Sequence, residues 1–244
     1  MYLFSRINRL RIRSEQIKIP LNEQNLIINL AKKILNSPLK ILAIDFDKTL
    51  IDDDSGSSMN FENIYIRNQF FWLIKYLIQH KWICITSFNE NTPTKFNENL
   101  GIVTQTIVRR LLKLTDKNLS RHSINKRLAH EYKIIIESYP SRSYGKIEHI
   151  QNCINQIQQI SSFSFDIQPY HIALFDDNLM NIKEAKKYFP AVLISIDEFN
   201  TKSKTIEPMI PLIDQLTQQS WNEYEKLKTK RKYSRGDRLQ GSEL

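Results

Sequence analysis

The sequence predicts an α/β fold, a parallel sheet flanked by helices, and three observations carry that expectation. Short apolar runs alternate with helical patterns along the chain. The runs are continuous, as in strands covered on both faces. Several end in carboxylate or hydroxyl residues, and open α/β sheets gather ligands at the carboxyl ends of their strands.

The elements follow in order. Residues 21–36 read as a helix, with Leu26, Ile27, Leu30, Ile34 and Leu35 on one side and Pro38 beyond its end. Residues 40–46 read as a doubly buried strand, 60–80 as a strongly apolar helix and Trp82–Ile85 as the next strand. Residues 93–136 read as mostly helical and basic, with no strand before Lys133–Ile136. A helix is expected over 145–160, then strands at His171–Phe175 and Ala191–Ile196 around a helix near 180–188. After Pro208 comes an amphipathic helix and a basic tail. The organisation is thus a basic arm (1–20), an α/β domain (21–205) with a small helical insertion (93–136), and a C-terminal helix and tail (206–244).

Composition narrows the class. Of 244 residues, 41% are hydrophobic and 25% charged, which suits a globular chain rather than a disordered one. The most apolar window, Phe70–Ile78, contains Lys75 and is too short to span a bilayer. Arg6, Arg9, Arg11 and Arg13 break the N-terminus, so it reads as an exposed arm or a cleaved organelle-targeting segment, not a secretory signal. Cys84 and Cys153 form neither a disulfide framework nor a metal spacing, which points to a reducing compartment such as the cytoplasm. The formal charge of +9 suggests acidic or phosphorylated partners, nucleic acid or an anionic membrane surface, and charge alone does not choose among them.

The chemistry begins in "KILAIDFDKTLIDDD", residues 40–54, where Asp45 and Asp47 stand two apart. On a continuing strand both would point to one side, and such crowding calls for a cation or a shared proton. Other strand ends supply Thr86 and Ser87, then Asp176 and Asp177 with Asn181 beyond them, and Lys146 opens a helix. Together these groups suit phosphoryl transfer: hard oxygen ligands for magnesium, donors for phosphate oxygens, and a carboxylate nucleophile beside a carboxyl acid. Asp52, Asp53 and Asp54, followed by Ser55 to Ser58, read as a polar loop.

The ordered set resembles the haloacid dehalogenase (HAD)-like hydrolases. Asp45-Phe46-Asp47-Lys48-Thr49 is similar to their DxDx(T/V) motif, Thr86 to the hydroxyl that ends a strand, Lys146 to the upstream lysine, and Asp176-Asp177 to the acidic pair. The resemblance covers residues 40–196 and implies a Rossmann-like sheet. It implies a Mg2+-dependent phosphatase with Asp45 as nucleophile and Asp47 as general acid/base. Asp45, Asp177 and the Asp47 carbonyl would be the metal ligands, with Asp176 and Asn181 supporting. Thr86 would bind the phosphoryl group and Lys146 would neutralise the intermediate. Lys133 is the alternative lysine, and Ser87 the alternative hydroxyl. Response-regulator receiver domains use similar parts, but there the acidic pair comes first and here it comes last.

Spacing bears on the substrate. Only 38 residues separate Asp47 from Thr86, and 59 separate Thr86 from Lys146, leaving no room for a large cap. Capless members of the family are open to bulky substrates, so a phosphoprotein, phosphotyrosine included, is expected. A small phosphate ester, a polynucleotide 3′-phosphate, or a vestigial phosphate- or membrane-binding adaptor are the alternatives. Arg109, Arg110, Lys113, Lys117, Arg121, Lys126, Arg127 and Lys133 form either a basic rim or a solvated helix face. The tail, with Lys226, Lys228, Lys230, Arg231, Lys232, Arg235 and Arg238, offers contact with an anionic membrane. Tyr224 and Tyr233 are too sparse to argue base stacking, so nucleic acid is the weaker partner.

Overall fold

Isoleucine, leucine and valine runs become five strands of one sheet because each run can bury both its faces. The computed structural model describes residues 20–52, 64–88, 93–94, 97–114, 121–139, 145–160, 166–194 and 205–239. The arm at 1–19, the run from Asp53 to Ser58, Lys117, residues 195–204 and residues 240–244 lie outside the described residues.

Leu21–Asn36 forms α1, Ile41–Asp45 β1, Asn68–Leu77 α2 and Trp82–Ser87 β2. A hairpin of β3 (Pro93–Thr94) and β4 (Asn97–Gly101) leads into α3 (Ile102–Gln105), which widens into a π turn through Leu111. Then come α4 (Arg121–Tyr132), β5 (Ile134–Ser138), α5 (Lys146–Ile160), β6 (Ile172–Asp176), α6 (Leu179–Ala185), β7 (Ala191–Leu193) and α7 (Met209–Leu239).

The main sheet has the order β5-β2-β1-β6-β7 and every pairing is parallel. All five carboxyl ends therefore lie along one edge, and Asp45 stands level with Thr86, which stands level with Glu137. One face, carrying Leu42, Ile44, Ile83, Ile85 and Phe175, packs against α1, α2, α3 and α7. Ile41, Ala43, Cys84, Ile135 and Leu174 line the other, beneath α5 and α6. Burying one such side chain contributes about 1.5–3 kcal/mol.

Two expectations change. The apolar helix starts at Asn68, not near 60, because Ile66 bridges to Ile51 and the Arg67 amide donates to the Leu50 carbonyl, keeping the chain extended there. Residues 93–136 also open with a strand pair that was not expected, the hairpin, whose polar strands carry no apolar alternation to announce them. They end in the expected sheet strand. Within that span Ile102, Val103, Ile107, Val108, Leu111, Ile124 and Leu128 belong to the core.

Helix α7 packs through Met209, Ile213 and Leu216, and an ion pair between Lys33 and Asp214 ties it to α1. Ser220 Oγ donates to the Tyr170 carbonyl at 2.7 Å. Tyr170 lies just before β6, so α7 has by then reached the amino edge of the sheet. Lys226, Lys228 and Lys230 beyond that point are exposed.

Candidate active site

Strand β1 ends at Asp45, and the next five residues turn sharply. Asp47 keeps an extended conformation while Lys48 adopts φ 56°, ψ −8°, a left-handed geometry unusual for a residue with a Cβ. The period of two therefore stops at the strand end. Asp45 stays on the α5–α6 face, in register with Thr86. The Asp47 carboxylate instead accepts from Ser87 Oγ at 3.2 Å. Ser87 and Thr86 are successive strand residues and serve opposite faces. The crowding expected between Asp45 and Asp47 is thus replaced by crowding between Asp45 and the pair at the end of β6.

That pair is held from several sides. Asp176 accepts from the Asn178 amide at 2.8 Å and from Asn181 Nδ2 at 3.1 and 3.0 Å. Asp177 accepts from Thr49 Oγ1 at 3.3 Å, which links the β6 end to the turn after β1. Oxygens of Asp45, Asp176 and Asp177 all lie within 4.8 Å of one another.

One cation answers them directly. Lys146 Nζ lies 2.5 Å from Asp45 Oδ1, donates to the Thr86 carbonyl at 3.2 Å, and sits 4.1 Å from the centre of the Phe88 ring. Gly145, at φ 56°, supplies the left-handed step that starts α5 at this point. Lys133, the alternative lysine, precedes β5 and so lies at the amino edge, away from this cluster.

Charge does not balance. Three carboxylates crowd the Lys146 ammonium, with the Arg67 guanidinium near Asp177. Burial pushes Asp45 well above the usual carboxylate range, with Lys146 opposing the rise and Asp176 adding to it. Burial likewise raises Asp176 to about 6, against the pull of Lys146 and its hydrogen bonds. A divalent cation would relieve this excess, and an all-oxygen donor set suits magnesium. A second deficit lies beside it: Thr86 Oγ1 is fully buried and has no hydrogen-bond partner among the described residues. A phosphoryl oxygen would satisfy that hydroxyl.

Sequence reasoning offered Ser87 as the alternative hydroxyl and Thr49 only as a member of its motif, and gave Arg67 no part in this geometry. Thr49 lies inside the DxDx(T/V) pattern and Ser87 beside Thr86, so both carried a signal of position. Arg67 carried none.

No family model matches the chain, and no curated protein matches it either. Among solved structures it is similar to the N-terminal part of a Bacteroides fragilis protein that contains a phosphatase domain and is complexed with Mg, at 15% identity and a TM-score of 0.44. That match covers 72% of this chain and 42% of the other, so the chain spans less than half the length of this relative. It is also similar to a protein named as a HAD superfamily (subfamily III A) hydrolase from Legionella pneumophila, at 14% identity over 85% of this chain and 100% of that one, TM-score 0.39. A third is a predicted HAD-like family hydrolase from Porphyromonas gingivalis, at 9% identity over 74% and 98%, TM-score 0.38. At such scores none of the three fixes anything about the site, which stands on its own residues. Two of these three structures bear the name of the HAD group, which the four ordered motifs of this chain resemble.

Proposed function

We propose that the chain is a HAD-like phosphatase that hydrolyses phosphomonoesters through an aspartyl-phosphate. The observation that carries this reading is the buried pairing of Asp45 with Lys146, at 2.5 Å, beside the unsatisfied hydroxyl of Thr86. A carboxylate oxygen of Asp45 attacks phosphorus as the bond from phosphorus to the leaving oxygen breaks. Asp47, held by Ser87, gives its proton to that oxygen. In the second half Asp47 takes a proton from water, whose oxygen attacks phosphorus and frees Asp45 and inorganic phosphate. Lys146 offsets charge on the phosphorylated Asp45, and Thr86 donates to a phosphoryl oxygen. Asp45, Asp176, Asp177 and the Asp47 carbonyl would hold Mg2+, which when bound neutralises charge on the phosphoryl group.

The substrate reading is a phosphoprotein, phosphotyrosine included. Its support is that the described elements between β2 and α5 are a small hairpin, two core helices and a sheet strand, with nothing of the size of a cap domain among them.

Purified protein with Mg2+ is expected to hydrolyse an aryl phosphate, and Asp45→Asn to abolish the turnover. Activity that survives in the variant overturns the mechanism. Phosphopeptides, nucleotides and 3′-phosphorylated oligonucleotides compared at equal concentration rank the substrates, and a preference for either of the latter two overturns the protein reading.

A further inference from the structure

We infer that Arg67 is a positioning residue, which holds the turn after β1 so that Asp47 meets Ser87 and Thr49 meets Asp177. The inference rests on the reading of Asp45 and Asp47 as the reacting pair.

Arg67 is 1% exposed, and it is one of the largest fully buried side chains among the described residues. Burying a guanidinium is costly unless its donors are used. Two of them are spent on the turn: Nη2 donates to the Lys48 carbonyl at 2.9 Å and Nε to the Ile51 carbonyl at 3.3 Å. The backbone amide of the same residue donates to the Leu50 carbonyl at 2.9 Å. Three carbonyls of the segment 48–51 thus end on one residue. The carboxylates of Asp52 and Asp177 lie close enough to act on its charge.

The turn needs such a hold. Lys48 sits at φ 56°, a conformation that costs a non-glycine residue about 1–2 kcal/mol and persists only where the surroundings impose it. Its carbonyl is the one Nη2 fixes. The planar fork of arginine holds two carbonyls three residues apart in one fixed geometry, whereas an ammonium turns its donors freely on a flexible stem and fixes no such geometry. With the fork removed, the Lys48 carbonyl loses its Nη2 bond and the left-handed step loses one of its restraints. Asp47 and Thr49, on either side of it, would then lose their alignment to Ser87 and Asp177. Arg67 touches none of the reacting atoms; it acts through the turn. Because Asp47 moves the proton in both half-reactions, the loss should appear in kcat.

Steady-state kinetics on p-nitrophenyl phosphate with Mg2+ test this in Arg67→Lys and Arg67→Ala, with thermal melts to confirm folding. The expected result is a fall in kcat on the order of ten- to a hundredfold, as a misplacement near 1 Å produces, with KM little changed. Added guanidinium should restore part of the kcat of Arg67→Ala, and methylammonium should not. A wild-type kcat in Arg67→Lys, an effect on KM alone, or failure of both variants to fold overturns the inference. If the wild-type protein turns over no phosphate ester, the phosphatase reading falls instead. The hold on the turn is then read from amide hydrogen exchange: faster exchange at Ile51 and Arg67 in Arg67→Lys, with β1 amides unchanged, supports it, and unchanged exchange overturns it.

Discussion

Lys146 Nζ lies 2.5 Å from Asp45 Oδ1 with both side chains almost wholly buried, so each charge is the other's chief compensation. Removing one partner strands the other in a poor dielectric. Lys146→Met is expected to destabilise the fold by about 3–5 kcal/mol, the usual cost of breaking a buried pair. Adding Asp45→Asn to it should recover much of that loss. Urea denaturation of the two single variants and the double variant gives the coupling directly, and additive losses would show that the pair is not a unit.

Thr86 and stability should part company from Thr86 and turnover. Its hydroxyl is buried without a partner among the described residues, an arrangement that costs about 1–3 kcal/mol. Thr86→Val keeps the shape and removes the polar group, so the melting temperature should hold or rise while kcat/KM falls. A variant that loses stability and keeps its turnover would place the hydroxyl in the core and not in the chemistry.

Mg2+ should stabilise the protein in the absence of any substrate. Three carboxylates within 4.8 Å of one another would hold the cation in the folded chain and not in the unfolded one. At tenfold over its dissociation constant the gain is about 1.4 kcal/mol. Asp177→Asn should shrink the thermal shift, and equal shifts in wild type and variant would remove Asp177 from the ligand set.

His171 should give the fold a dependence on acid unrelated to catalysis. Its Nδ1 accepts from the Gln168 amide at 3.0 Å, which requires the neutral ring. Burial, aided by Lys40 and Lys81 and opposed by Asp166, lowers its pKa to about 4. In the unfolded chain the ring titrates near its ordinary value of about 6.5. Between these values the unfolded state binds more protons, so the contribution is complete above about 6.5 and is lost as the pH falls toward about 4. Melts of wild type and His171→Gln across that window should differ in slope, with the variant flatter, and parallel curves would count against the assignment.

The parts of the fold that were legible in the sequence are those fixed by burial alone. Ile41 to Ile44 and Ile172 to Phe175 could only be strands covered on both faces, and the polar groups at their ends fall on one edge once the strands run parallel. That Lys146 and not Lys133 lies beside Asp45 follows from which end of a strand each adjoins, a matter of topology that spacing does not encode. The facing of Asp47 was misjudged for a local reason, since a single left-handed residue ends the period of two. Arg67 left no trace because its partners are carbonyls, and every residue has one.

The course of α7 has a consequence for the charge of the whole chain. From Ser220, which touches the amino edge of the sheet, to Leu239 the helix runs roughly 28 Å at 1.5 Å per residue. Seven of the chain's basic residues ride on that stretch, from Lys226 to Arg238. The end of the helix thus stands more than three screening lengths beyond Ser220 at physiological salt, about 8 Å each. Set against Glu223, Glu225 and Asp237, those seven leave a net +4 on the stretch, so only that share of the formal +9 is carried away from the crevice. The far end of α7 is an electrostatic outpost, and neutralising its lysines and arginines is expected to leave turnover as it was.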